Sequence, residues 1–324
     1  MQALTANGQW RELTLMFPAM GTSQFANEAA SAVAAIAPSQ HASSRVHLVL
    51  GATMSERDVD ALLSLLRASP QCRALTFANK AQNPAALQKL LEGLPQTGID
   101  TLHFDHAVCS GHEEIYQAIF GNAKLQHLKL AQAPKDEPGV TSLASGIGQN
   151  NSLKSLTLYQ SNISDAGAIR LAQALASHPL LERLEYHNRS LGHDGWLAIG
   201  QALANNAGIA EIIVSECRVG DGSMAALLKQ LETRHNLVQL RLTGLFMKQE
   251  LIASIDRIIA NNAMLCRFDG GTFIDVELTQ VFVACLSKAN GPLTLEVSAL
   301  PACRDVLVQA AIENPLLAIE ETWH

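Results

Sequence analysis

The chain has 324 residues, 48% of them hydrophobic, and a formal net charge of −7. A compact core usually stops growing near this size, so the chain needs either two domains or a core that extends lengthwise. The charge is spread rather than blocked, no Lys/Arg-rich run is present and no apolar run approaches ~18–20 residues, which argues against nucleic acid, an anionic membrane surface and a bilayer span.

In chain order, the first residues, MQALTANGQWREL, align without a gap on Ala172–Leu184 and on Gly200–Ile212. Leu4 then stands where Leu175 and Leu203 stand, and Trp10 where Leu181 and Ile209 stand, so the chain reads as opening midway through a repeat, either behind a short cap over residues 1–9 or as the remainder of a longer array. From Trp10, strand segments are predicted to begin at 10, 45, 72, 99, 125, 153, 181, 209, 237, 265 and 292, with a degenerate twelfth at Leu316–Ile319. The long first interval predicts an Ala-rich helix over Ala26–Ala37, with surplus loop in Pro18–Phe25 or Pro38–Ser44.

Helix boundaries fit this spacing. Ser164-Asp165, Asp194 and Asp221 read as N-caps. Asn150-Asn151, Asn205-Asn206 and Asn261-Asn262 read as helix ends, where Asn tolerates a left-handed backbone. Pro70, Pro179 and Pro315 bar helices from running into the next strand. Pro134–Pro138 reads as a polar turn.

The stretch from Leu153 to Phe268 repeats every 28 residues, with copies starting at 153, 181, 209, 237 and 265. Apolar residues recur at offsets 0, 3 and 5, and at 10 in the complete copies. Leu156 and Leu158 share one face of a strand while Thr157 and Tyr159 share the other. Further on the period changes to i,i+4 (Leu171/Leu175, Ile199/Leu203, Leu227/Leu231, Ile255/Ile259), as in an amphipathic helix. One strand and one helix cannot close a core alone, but stacked units cover one another.

The motif L-x-x-L-x-L-x-x-[N/C]-x-L with a 28-residue period resembles the ribonuclease-inhibitor-like class of leucine-rich repeats. Leu153–Ile163 and Ile209–Val219 carry it best, with Cys217 at the [N/C] position. The helical segment SDAGAIRLAQAL, residues 164–175, is similar to that class too, including the sensing arrays of NOD-like receptors. Ser161, Arg189 and Leu245 depart from the [N/C] position, which puts a continuous side-chain ladder at the strand exits in doubt. The resemblance implies an α/β solenoid, a horseshoe with a parallel concave sheet and convex helices, of about eleven repeats of ~28 residues. The whole chain then reads as one domain: a cap at 1–9, repeats over 10–291, and a last repeat with C-terminal cap over 292–324. Its usual work in that class is protein binding.

The columns alternating with the buried leucines should project from the concave sheet. They run Asp105, Ala131, Tyr159, His187, Ser215, Thr243; His103, Lys129, Thr157, Glu185, Ile213, Arg241, Asp269, Glu296; and His127, Ser155, Arg183, Glu211, Gln239, Arg267. Tyr159, Arg183, Glu185, His187, Glu211 and Arg241 collect at the middle. An aromatic and arginines amid mixed charge compose a protein-binding hot spot, where truncation costs ~2 kcal/mol or more. The competing reading is that Arg183–Glu211 and Arg241–Asp269 simply pair sideways on a solvated sheet, for ~0–1 kcal/mol each.

Chemistry beyond binding has little support. The six cysteines, at 72, 109, 217, 266, 285 and 303, form no CxxC pair and read as buried free thiols. No HxxxH or HExxH spacing occurs, so neither metal nor cofactor is expected and no catalytic residue is assigned. His103, Asp105 and His127 could form an acid/base group, but no nucleophile or metal ligand is placed to complete it. Cys303-Arg304-Asp305 resembles the Cys-x-Asp signature of bacterial ubiquitin-ligase effectors, which use a shorter repeat and a large separate catalytic domain. Without a basic-then-apolar leader the chain reads as cytoplasmic when made, and its Asn-x-Ser matches at 150, 162 and 188 as chance. Ala-rich, Lys-poor helices and eukaryotic-like repeats point to a bacterial effector delivered by a specialised secretion system and acting on a host protein. Alternatives are a GTPase activator of the leucine-rich repeat type, with Arg189 as its essential residue, and a structural segment of a longer array.

Overall fold

The computed structural model describes residues 12–17, 45–51, 53–78, 83–106, 113–134, 136–215, 222–243 and 246–321. Their backbone forms one sheet of twelve strands in sequence order. These are β1 (Glu12–Phe17), β2 (Arg45–Leu50), β3 (Cys72–Phe77), β4 (Thr101–Phe104), β5 (His127–Leu130), β6 (Ser155–Ser161), β7 (Arg183–Asn188), β8 (Glu211–Ser215), β9 (Gln239–Thr243), β10 (Arg267–Phe273), β11 (Leu293–Ala299) and β12 (Leu317–Glu321). Every neighbouring pair is parallel. The described helices are α1 (Glu56–Ala68), α2 (Pro84–Gly93), α3 (Glu113–Phe120), α4 (Glu137–Gln149), α5 (Asp165–Ser177), α6 (His193–Asn205), α7 (Ser223–Leu231), α8 (Gln249–Asn261), α9 (Val276–Leu286) and α10 (Pro301–Glu313). This is an α/β repeat solenoid. Parallel neighbours demand a crossover, and a helix supplies it.

The core is the seam between sheet and helices. Leu156, Leu158, Leu171, Leu175, Ile199 and Leu203 are fully buried in it. Repeats stay in register, with Leu156 opposite Leu184 and Leu184 opposite Ile212. The degenerate twelfth segment is a true strand, pairing Leu293 with Leu317 and Leu295 with Ile319. β1 follows Trp10 as expected, while the cap over 1–9 and the helix over Ala26–Ala37 lie outside the described residues.

One repeat breaks the apolar rule. At offset 5, where its predecessors carry Leu158, Tyr186, Val214 and Leu242, β10 carries Gly270. A Cβ there would come within 3.2 Å of Phe273 and 3.4 Å of Phe268 and Phe282. Phe282 of α9, fully buried, packs against Phe273 and Phe268 and fills that layer from the helix side. Gly271 at φ 72° completes a bulge between Asp269 and Thr272.

Asn residues do end the helices, but not by a left-handed backbone. Asn150, Asn206 and Asn262 have φ of −79°, −91° and −114°. Their buried side chains act as rungs between repeats. Asn150 Nδ2 donates to Phe120 O at 2.9 Å, and Asn206 Nδ2 to Leu175 O at 2.7 Å and His178 O at 2.9 Å. Asn262 Nδ2 donates to Arg234 O at 3.0 Å. Asn150 Oδ1 and Asn206 Oδ1 accept a backbone N–H of their own turn, from Leu153 and Gly208, whereas Asn262 Oδ1 accepts from Leu237 N, 25 residues earlier. The orphan carbonyls of one helix are thus satisfied by the next repeat's side chain.

The strand exits show a related substitution. At the end of β7 Asn188 makes a polar contact to the preceding repeat: its Nδ2 donates to Ile163 O at 3.0 Å, and also to Tyr186 Oη at 2.9 Å. A register shift in β6 sets Ser161 opposite Asn188, and Ser161 Oγ donates to His187 O at 2.6 Å. Leu245 and Cys217 lie outside the described residues.

The N-caps follow the sequence only in part. Ser164 caps α5 and accepts from Gly167 N, whereas α6 begins at Gly192 with no side-chain cap, and Asp194 sits in its first turn. Asp221 is outside the described residues. Gly192 N donates instead to Asp165 Oδ1 of the preceding repeat at 2.7 Å. The turn expected at Pro134–Pro138 is shorter than that: Asp136 caps α4 and Pro138 lies in its first turn, a position that needs no N–H.

Candidate functional site

One face of the sheet points into the seam; the other carries the polar columns. On that open face Glu185 is a hub. Its Oε1 accepts from Tyr159 Oη at 2.5 Å and lies 3.1 Å from His187 Nε2. Its Oε2 accepts from Arg183 Nη2 at 3.2 Å and from Thr157 Oγ1 at 3.4 Å, while Arg183 Nη1 reaches Glu211 Oε2 at 3.0 Å. The Tyr159 and His187 rings stack at 3.8 Å, and Lys129 Nζ stands 5.3 Å from the Tyr159 ring centroid. Gln160, next to Tyr159 in the β6 bulge, has φ 43°, an uncommon conformation for a side-chain-bearing residue. The bulge re-aims the end of the strand.

The structure therefore brings five of the six candidates, Tyr159, Arg183, Glu185, His187 and Glu211, into one network. Arg241 belongs to a second. Its Nη2 reaches across β10 to Glu296 Oε2 at 2.6 Å, and its Nε lies 3.9 Å from Asp269 Oδ2. Arg267 binds Glu296 from the other side and reaches Glu320 Oε2 at 3.1 Å. Both expected sideways pairs, Arg183–Glu211 and Arg241–Asp269, are thus present, the second at long range. Glu296 and Asp269 are buried, so Arg241 and Arg267 hold carboxylates in place rather than stand free.

Burial works to raise the Glu185 pKa, but hydrogen bonds from His187, Tyr159 and Arg183 outweigh it and bring it from 4.5 down to about 2. Tyr159 is pushed up to about 12, first by burial and then by its bond to Glu185. Asp269 is raised, because burial outweighs the Gly271 N–H and Arg241. A carboxyl whose folded pKa is depressed contributes stability that is complete above its unfolded value and is lost as pH falls towards the folded one. Stability should therefore decline as pH drops from 4.5 to about 2. Glu185→Gln should flatten that limb in thermal melts taken across the window, and an unchanged slope would show that Glu185 is not the hub.

Sequence reasoning placed Ser215 in the right column but missed its partner. Ser215 Oγ contacts His187 Nδ1, giving a hydroxyl–imidazole–carboxylate chain with Glu185. The connectivity is that of a hydrolytic triad. The setting is not: Ser215 is only 3% exposed, and the carboxylate is shared among Tyr159, Arg183 and Thr157. The chain fixes the imidazole under the Tyr159 ring.

Other candidates fall apart from this site. His103 and His127 lie on β4 and β5, beside His47 of β2, and Asp105 is exposed just after β4. Cys72, Cys285 and Cys303 are buried and free as expected, but Cys266 is exposed, since it precedes β10 where the chain faces out. Cys109 and Cys217 lie outside the described residues. Among the described residues no group of His, Cys, Asp and Glu could hold a metal ion, and no helix is long and apolar enough to cross a membrane. Asn150 and Asn188 are buried and bonded, so neither presents a glycosylation site.

Fold and site together define a leucine-rich-repeat-like solenoid, a class whose open sheet face suits binding other proteins. No family model matches the chain, and no curated protein matches it. Among solved structures that match is "Leiomodin-1 Actin-Binding Site 2 (ABS2)", with 15% identity and a TM-score of 0.39, over 48% of this chain and 90% of that one. A likeness so distant says nothing about what this chain binds.

Proposed function

We propose that the chain is a non-catalytic protein-interaction module, one repeat domain that binds a partner protein across the open face of its sheet. Tyr159, Arg183, Glu185, His187, Glu211 and Arg241 supply the contacts. The observation that supports this reading is the Glu185 network: a stacked aromatic pair and a partly exposed Arg183, held in one geometry by hydrogen bonds. Side chains ordered before a partner arrives lose less entropy on binding, and aromatic and arginine anchors carry most interface energy.

Affinity capture tests it. Tyr159→Ala combined with Arg183→Ala should weaken capture of the partner by tenfold or more, about 1.4 kcal/mol at least, while the Tm falls by no more than a few degrees. Undiminished capture by the folded double variant would rule this face out. The finer reading is an effector acting on a host protein, supported by the Ala-rich, Lys-poor helices. In the same experiment it expects the variant-sensitive partner in eukaryotic lysate and not in bacterial lysate.

A further inference from the structure

The open face is electrostatically lopsided. On β7 to β12, five carboxylates (Glu185, Glu211, Asp269, Glu296, Glu320) are threaded by three guanidiniums, Arg183, Arg241 and Arg267. On β2 to β5 the open-face columns carry bases instead. There a recess of about 270 Å³ is lined by Arg45, His47, Arg73, His103 and His127, with Thr101 and Ser155 adding hydroxyls. In a chain of net charge −7 this is a local reversal.

We infer that this recess receives carboxylate side chains from an acidic segment of the partner protein, and so supplies the anion-binding half of the interface proposed above, on which the inference rests. The geometry supports it from several strands. His47 Nε2 lies 2.7 Å from Thr76 Oγ1, and the His47 and His103 rings meet edge-on at 5.8 Å, which holds two imidazoles at one wall. Arg73 is fixed by Asp100, which is buried and also accepts from Thr101 Oγ1 at 2.9 Å. Arg45 stands exposed at the rim, with Glu12 of β1 opposite it in register. Lys129, directly opposite His103 on β5, links the recess to the Tyr159 ring. Adjacent strands lie ~4.8 Å apart, so an extended segment of a few residues spans from the recess to Tyr159.

The charges that bear on the imidazoles come from every neighbouring strand. His103 is held down to about 4 by burial and then by His47 and Lys129, with Asp105 opposing; His127 is lowered by burial and by Arg45 and Lys154, with Asp100 and Glu182 opposing. Both are lowered from their ordinary value, so near neutrality the positive field comes from Arg45 and Lys129, with Asp100 offsetting Arg73. A carboxylate seated beside the imidazoles favours their protonated forms, so binding takes up protons and tightens as pH falls.

The probe is a fluorescent oligo-glutamate peptide titrated into the full chain by anisotropy at about pH 7.5 and about pH 5.5, with inorganic phosphate as competitor. Expected are binding that tightens about tenfold at the lower pH and weakens with added salt. Arg45→Gln with His103→Gln should reduce it about tenfold, and Arg45→Gln alone, at an exposed position, by severalfold. Arg257→Gln, which removes an exposed positive charge on α8 away from the sheet face, should leave most of it intact, which separates the recess from a general charge effect. Binding that is absent, that ignores both recess variants, or that millimolar phosphate abolishes while phosphate itself binds more tightly than the peptide would overturn the inference. The capture result for Tyr159 and Arg183 would stand on its own in each case.

Discussion

Replacing Arg234 by leucine should lower the unfolding free energy by ~3 kcal/mol or more, among the largest losses from any polar change in the chain. Arg234 follows α7 and is 3% exposed. It occupies the rung position that Asn206 and Asn262 hold 28 residues before and after it. Its guanidinium donates to Leu203 O, to Asn206 O at 2.7 Å, to Ile209 O at 2.5 Å and to Asn236 Oδ1 at 2.7 Å. Burial lowers its pKa, so the charge itself is a cost, and its value lies in the carbonyls it satisfies. Leucine would leave Leu203 O and Ile209 O buried without this donor at ~1–3 kcal/mol each, while Asn206 O keeps the Ile209 N–H at 3.4 Å and apolar packing offsets part of the loss. Arg234→Asn should recover part of the loss, because an amide already serves at the flanking rungs. Arg234→Lys should recover less, since an ammonium lacks the planar fork that reaches several carbonyls. Denaturant unfolding of the three variants decides it. A loss below about 1 kcal/mol in Arg234→Leu would show that the rung is dispensable.

That prediction marks where the sequence stops being readable. The strands could be placed because Leu156, Leu184, Ile212 and Leu240 recur at a fixed interval, and burial punishes any other register. The helix ends were visible for the same reason, but the means was not. Asn at a helix terminus has two uses, a left-handed backbone or a donating amide, and spacing alone does not separate them. The negative φ values and the bonds to the preceding repeat do. Nothing local in the sequence marks Arg234 for this role, because the carbonyls of Leu203, Asn206 and Ile209 that converge on it lie 25 to 31 residues earlier. The candidate site shows the same limit. Tyr159, Arg183, Glu185 and His187 share a face by strand alternation, which the repeat dictates. Arg183 and His187 flank Glu185 two residues away on β7, whereas Tyr159 reaches it from β6, beside the bulge at Gln160 that no periodicity announces. Arg241 was grouped with them by proximity in sequence columns, whereas its longer reach goes to Glu296, two strands away. The recess on β2 to β5 is invisible to spacing, since His47 lies 56 residues before His103 and only the sheet brings their rings together.

Leu184→Ala should cost ~2–5 kcal/mol, and the form of the loss matters as much as its size. Leu184 sits on β7 with Leu156 and Ile212 as its cross-strand neighbours, and it is 1% exposed. Removing its isobutyl group forfeits the transfer free energy of the buried carbons and leaves a cavity that flanking strands, fixed by their own ladders, cannot close. In a solenoid the apolar core of each repeat packs only on its neighbours, so stability is close to a sum of unit and interface terms. A cavity in the middle weakens the interfaces that couple the two halves, while each half keeps its remaining ones. The thermal transition should broaden or split, and hydrogen-exchange protection should fall most on β6, β7 and β8 and least on β3 and β11. Leu307→Ala, at an equally buried site on α10 near the end of the array, is the control: it should fray the last repeats and leave the middle protected. A single sharp transition displaced uniformly by Leu184→Ala would mean that the chain unfolds as one cooperative body and that coupling extends beyond neighbouring repeats. A loss under about 1 kcal/mol would mean that the β7 layer is not tightly packed.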